Sequence, residues 1–86
     1  MQSSILNYLV FFKEEPEGGF TVLVPSLQGC VSYGENLEEA KRMAEEAILL
    51  YIEDLIESGE EVPSDEKAFS LSIKITKPAK RKEQYA

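Results

Sequence analysis

The residue types that usually carry catalysis are scarce in this 86-residue chain, which has one cysteine, Cys30, no histidine and no tryptophan. General acid–base, nucleophilic and metal mechanisms each require particular groups brought together, and most of those groups are missing. Cys30 follows Gly29 and begins a β-rich segment, with no base nearby in sequence to activate it. A small polarizable side chain in that setting reads as core. Alone, and in a chain without histidine, it can neither form an intramolecular disulfide nor assemble a structural metal site. The Gly18-Gly19 pair is flanked by Glu14, Glu15 and Glu17 and is not followed by a helix. It reads as a hairpin turn, since a phosphate held there would meet three carboxylates.

Acids are the one abundant functional group. Residues 14–66 hold fifteen of the sixteen Asp and Glu against only Lys41 and Arg42, a net of −13 in a chain whose formal charge is −7. Lys74, Lys77, Lys80, Arg81 and Lys82 make the C-terminal part basic. A body of that sign repels phosphates and suits a basic partner, although excess acid also serves solubility alone. The basic tail lacks interleaved aromatics, so DNA or RNA binding through it is doubtful and contact with solvent or a protein is the better reading.

The elements that would position these groups follow from periodicity. Residues 5–12 are apolar on both alternating faces apart from Asn7, as in a central strand, and Phe20–Val24 alternate as a second strand after the glycine turn. Pro25 ends that strand, residues 26–29 form a loop, and Cys30–Tyr33 suffice for a short third strand closed by Gly34. Asn36 with Glu39 resembles a capping box, and Leu37, Ala40, Ala44, Ala47, Ile48, Tyr51, Ile52 and Leu55 share one helical stripe. Gly59 stops the helix, which is expected over residues 37–58. Phe69, Leu71, Ile73 and Ile75 alternate with Ser70, Ser72 and Lys74 as a half-wet edge strand.

The expected fold is therefore α+β, β-β-β-α-β, with one long helix packed on one face of a four-stranded sheet. A right-handed crossover predicts the order 3-2-1-4, with the last strand parallel to the first. Residues 1–76 form the expected domain and residues 77–86 a flexible basic tail. No run reaches the ~18 apolar residues of a membrane span and the N-terminus lacks signal-peptide features, so a cytoplasmic protein is expected. One helix covers one sheet face, so the doubly apolar first strand calls for an additional covering surface. Met43 and Leu50 lie roughly 100–140° from the helical stripe on one side, Leu49 and Ile56 on the other. With Tyr8 on the first strand, these are the candidate partner or oligomer contacts. The expected strand order is also the first part of a ribonuclease-H-like sheet, whose two-metal sites need an acid on the first strand. Gln2–Phe12 contains none, so catalysis of that kind is not expected.

The combined order Gly19-Phe20, Val24-Pro25, Leu27, Gly29-Cys30, Gly34-Glu35-Asn36, Glu39-Ala40, Ala44, Glu46-Ala47, Gly59 and Val62-Pro63 resembles the N-terminal domain of the HicB antitoxin family over about residues 5–75. The resemblance implies a partial ribonuclease-H-like fold without catalysis or cofactor. It also implies binding to HicA, a small basic messenger-RNA-cleaving toxin, and assembly into a homodimer or higher oligomer. Gln28 and Ser26 depart from the family's usual turn, where a second proline and an acid are common. Longer members append a DNA-binding segment, for which only about ten residues remain here. A homo-oligomeric scaffold or small-ligand regulator without a toxin is the rival expectation.

Overall fold

A computed structural model describes residues 5–80. Its elements are β1 (Phe11–Glu14), β2 (Phe20–Leu23), β3 (Val31–Gly34) and α1 (Leu37–Glu57). The strands form one antiparallel sheet in the order β1-β2-β3, with Phe11 opposite Leu23 and Leu23 opposite Val31. The glycine hairpin closes as its composition dictates: Gly18 N–H donates to Glu15 O at 2.9 Å and Glu15 N–H to Gly19 O at 3.0 Å.

Local chemistry sets both ends of α1. Asn36 lies in extended backbone and its side chain accepts from Glu39 N–H at 2.8 Å, while Glu39 Oε1 accepts from Glu35 N–H at 2.7 Å. Two otherwise orphaned donors are thereby satisfied, and Glu38 and Glu39 sit at the positive end of the helix dipole. At the other end Gly59 adopts φ 74°, its N–H donating to Ile56 O while Glu60 N–H reaches Leu55 O at 2.9 Å. That paired reach across a left-handed glycine ends the helix one residue before the expected position.

The helix leans over β3 and β2 and barely meets β1. Close approach at β3 depends on Gly34, where any Cβ would overlap the Ala40 backbone. Beneath this contact Val22, Ala40 and Ala44 form one buried cluster, supported by Val10 and Phe20. Val24, Leu27 and Cys30 form a second, closed by Tyr8, Ile48, Tyr51 and Leu55 among others. Small alanines near β3 and larger side chains near the β2–β3 turn reproduce the taper of the helical stripe.

The expected four-stranded sheet with order 3-2-1-4 does not form in this chain. Among the described residues the sheet has three strands, β1 lies at its edge instead of its centre, and residues 69–75 pair with no strand. The reason is the path taken after α1. Asp65 N–H donates to Asn7 O at 2.7 Å, Asn7 N–H to Ser64 Oγ at 3.1 Å, and Leu9 N–H to Asp65 Oδ2 at 3.0 Å. Ser26 Oγ–H also donates to the Asp65 carboxylate, which ties the turn after β2 into the same clasp. Residues 64 and 65 thus occupy the place beside Asn7 and Leu9 that β2 vacates at Pro25. A turn closed by Ala68 N–H on Asp65 O follows, and the chain then leaves the body. The radius of gyration is 18.3 Å and the long axis 66 Å, whereas a compact chain of this length would have a radius of about 12 Å. An alternating apolar segment becomes a strand only when a neighbouring edge takes up its backbone bonds.

Candidate protein-binding surface

Cys30 is buried in the second cluster, and burial pushes its thiol pKa up, which disfavours the nucleophilic thiolate. Among the described residues no three His, Cys, Asp or Glu side chains converge to hold a metal. What the fold presents instead is apolar surface.

An open groove of about 640 Å³ runs between the β1 side of the sheet and α1. Leu6, Tyr8, Val10 and Phe12 form one wall, and Ile48, Leu49 and Ile52 the apolar part of the other, with Lys41 and Glu45 also on the lining. The groove exists because α1 sits over β3 and β2, leaving the flank of β1 and the residues before it without a cover. Backbone parity makes that flank a usable edge. Glu15 N–H donates to Gly19 O, and Leu9 and Asn7 donate to Asp65 and Ser64, so the alternation of β1, continued along the chain before it, aims the N–H groups of Phe12, Val10 and Tyr8 the other way.

The sheet's other face is apolar as well. Phe11, Leu23 and Val31 stand in register across the three strands, and all three are exposed together with Tyr33. A third apolar surface is the projecting arm, where Phe69, Leu71, Ile73 and Ile75 are each at least 75% exposed. Leaving such side chains in water forgoes roughly 1.5–3 kcal/mol apiece. Ordering seven backbone residues costs about 1–2 kcal/mol each, a comparable total, so the arm gains by docking only where an edge also accepts its hydrogen bonds.

Residues 8–81 match the sequence model of a family described as the HicB_like antitoxin of bacterial toxin-antitoxin system. The chain belongs to that family. It is 44% identical to a UPF0150 protein of Synechocystis over 62 residues, 72% of this chain and 78% of the relative. A UPF0150 protein of Thermoplasma acidophilum is 37% identical over 60 residues, 70% of this chain and 87% of that protein. A protein from the rep-hol intergenic region of Haemophilus phage HP1 is 44% identical over 50 residues, and there the match covers only 38% of the relative's length. Membership in the HicB-like family carries an antitoxin role and, in general terms, a toxin partner.

In this HicB-like chain the Pro25–Gly29 turn is held from both sides. Leu27 N–H donates to Val24 O at 3.0 Å, Cys30 N–H to Leu27 O at 2.9 Å, and the Tyr51 hydroxyl reaches Gln28 O at 2.7 Å from the helix. The residues expected as contacts are dispersed. Tyr8 and Leu49 line the groove from opposite walls. Tyr8 is also anchored inward, its hydroxyl donating to Pro63 O, and its pKa is raised by burial and by the nearby Asp65 charge. Met43 is half-buried, whereas Leu50 and Ile56 are exposed on α1 outside the groove. Leu6, Val10 and Phe12 complete the groove and were not singled out by the sequence. The signal was present in the doubly apolar character of residues 5–12, although the strand expected there is β1 at Phe11–Glu14, and residues 5–10 run on from it outside the sheet's ladder. The described part of the chain contains no helix long and apolar enough to cross a membrane.

Proposed function

We propose that the chain is a non-catalytic cytoplasmic antitoxin that binds and neutralises a small basic HicA-type messenger-RNA-cleaving toxin. The carrying observation is family membership joined to the segregation of charge, with a net −13 across residues 14–66 of a HicB-like chain. A toxin that cleaves RNA must present a cationic surface to its substrate, and an acidic body competes for that surface. Long-range attraction speeds encounter, and exposed apolar side chains supply contact once water is excluded. Leu50 and Ile56 on α1, with the Phe11–Leu23–Val31 row, are among the exposed groups available for that contact.

Co-expression with a HicA-type toxin, taken from beside this chain's gene where a short basic protein is encoded there, tests the reading. Growth arrest caused by that protein should be relieved, and the two should co-purify in a complex weakened by salt. Growth arrest that persists while the chain accumulates as folded protein overturns it.

The open groove supports a second reading, a homo-oligomeric scaffold or small-ligand regulator, because its volume lies in the range of ligand sites. A metabolite-dependent thermal shift together with indifference to a HicA-type toxin would favour this alternative.

A further inference from the structure

We infer that two copies of this chain exchange arms: residues 69–75 of each pair as a strand with the outward edge of residues 6–12 in the other and fill its groove with Phe69, Leu71, Ile73 and Ile75. The sheet of one chain remains three-stranded, and the added strand belongs to the second copy. This goes beyond the antitoxin reading and stands or falls independently of it.

Four observations converge on this occupant. The arm carries its apolar side chains at the two-residue period of a strand and exposes them all, while Ser70, Ser72 and Lys74 occupy its other face. The groove offers the matching acceptor, apolar walls beside the open side of β1 and of the residues before it, where Phe12, Val10 and Tyr8 meet no paired strand among the described residues. Its own arm is badly placed to enter. Ser64 and Asp65 are fastened on the β2 side of Asn7 and Leu9, opposite the open edge, and the turn at Asp65–Ala68 sends the chain outward. Twelve residues, 69–80, can reach about 40 Å when extended, in keeping with the 66 Å long axis. Finally, the charges are complementary. Lys74, Lys77 and Lys80 lie on or just after the arm, and the body that would receive it holds the net −13 segment of residues 14–66, while the groove lining itself carries one charge of each sign, Lys41 and Glu45. Reciprocal exchange closes about a two-fold axis, so each donated arm is matched by a received one.

Sedimentation of the intact chain across a concentration series, combined with mixed-isotope NMR, tests the exchange. A dimer is expected, with intermolecular contacts between the Ile73 region of one labelled copy and Val10 of the other. The double variant Leu71→Asp, Ile73→Asp should retain the helical signal and raise the dimer dissociation constant at least about a hundredfold. A chain that stays monomeric at all concentrations overturns the inference, including one whose arm amides are protected by folding onto their own groove. So does a dimer without contacts between Ile73 and the partner's Val10. The NMR comparison uses the unaltered chain, so it decides the matter even where the double variant fails to fold. Toxin binding enters neither measurement.

Discussion

Replacing Leu27 by alanine perturbs the second core cluster at its most enclosed point. Leu27 is 1% exposed and packs with Val24 and Cys30 beneath Ile48, Tyr51 and Leu55. The substitution removes three carbons, about 0.8 kcal/mol each in transfer free energy, or roughly 2.4 kcal/mol. A cavity term adds to this according to how far the surroundings can collapse. Collapse is restricted here, because the Leu27 and Cys30 backbone bonds and the Tyr51 hydroxyl on Gln28 O hold the turn around the site. The expected loss is therefore about 3–4 kcal/mol, a third or more of the stability typical of a domain this size. Urea denaturation followed by helical circular dichroism, at fixed protein concentration, measures it as a shift in midpoint with unchanged slope. The thermal midpoint should fall by roughly 12–30 °C. A loss below about 1 kcal/mol with native helical content would refute the placement of Leu27 between the turn and α1.

Three further outcomes follow from individual contacts. Gly34→Ala drives a methyl group into the Ala40 backbone and lets β3 and α1 meet only after a backbone shift; a cost of about 2 kcal/mol or more is expected from denaturation. Asn36→Ala leaves the Glu39 N–H without its capping acceptor and should cost about 1 kcal/mol, read as a loss of helicity concentrated in the first turn of α1. Asp65 is held below the usual carboxylate value of 3.8 by its bonds from Ser26 and from Leu9 N–H. A depressed folded-state pKa stabilises above the unfolded value and is lost as pH falls through the folded one. Asp65→Asn should therefore speed hydrogen exchange at the Leu9 amide near neutral pH, and the gap from the unaltered chain should close below pH 3.8.

The features legible in the sequence are those set by chemistry a few residues long. Asn36 and Glu39 announce the helix start and Gly59 its end, so the expected 37–58 and the observed Leu37–Glu57 differ by one residue. Pro25 and the Gly18-Gly19 pair bound β2 for the same reason. Pairing across the sheet is a different kind of information. Alternation over residues 69–75 reports that one face of the segment is apolar, not which edge, or whose, receives it. The Asp65 clasp was equally invisible, since nothing in its spacing separates it from the other acids of residues 14–66. Its importance comes from Ser26 and Leu9, brought near only when the turn after β2 and the end of the helix are in place. Among the expected contacts, Tyr8 and Leu49 share the groove because the two walls face each other across the space α1 leaves beside β1.

Charge and apolar surface divide the work of recognition in a way that bears on both proposed partners. An acidic body attracts any basic partner, so it cannot by itself separate a cationic toxin from the lysines of its own C-terminal arm. Discrimination must come from shape. The groove has a free strand edge and suits an extended segment with period-two apolar side chains, which the arm supplies. The Phe11–Leu23–Val31 row lies on a sheet face, which presents side chains instead of backbone groups and so offers side-chain contact only. A folded basic protein therefore suits that face and the acidic exterior of α1, while the groove is reserved for a strand. On this division, Leu49→Arg at the groove should loosen self-association yet leave toxin binding intact, and Val31→Asp on the open face should do the reverse. A variant at either site that abolishes both would show that the two surfaces act as one.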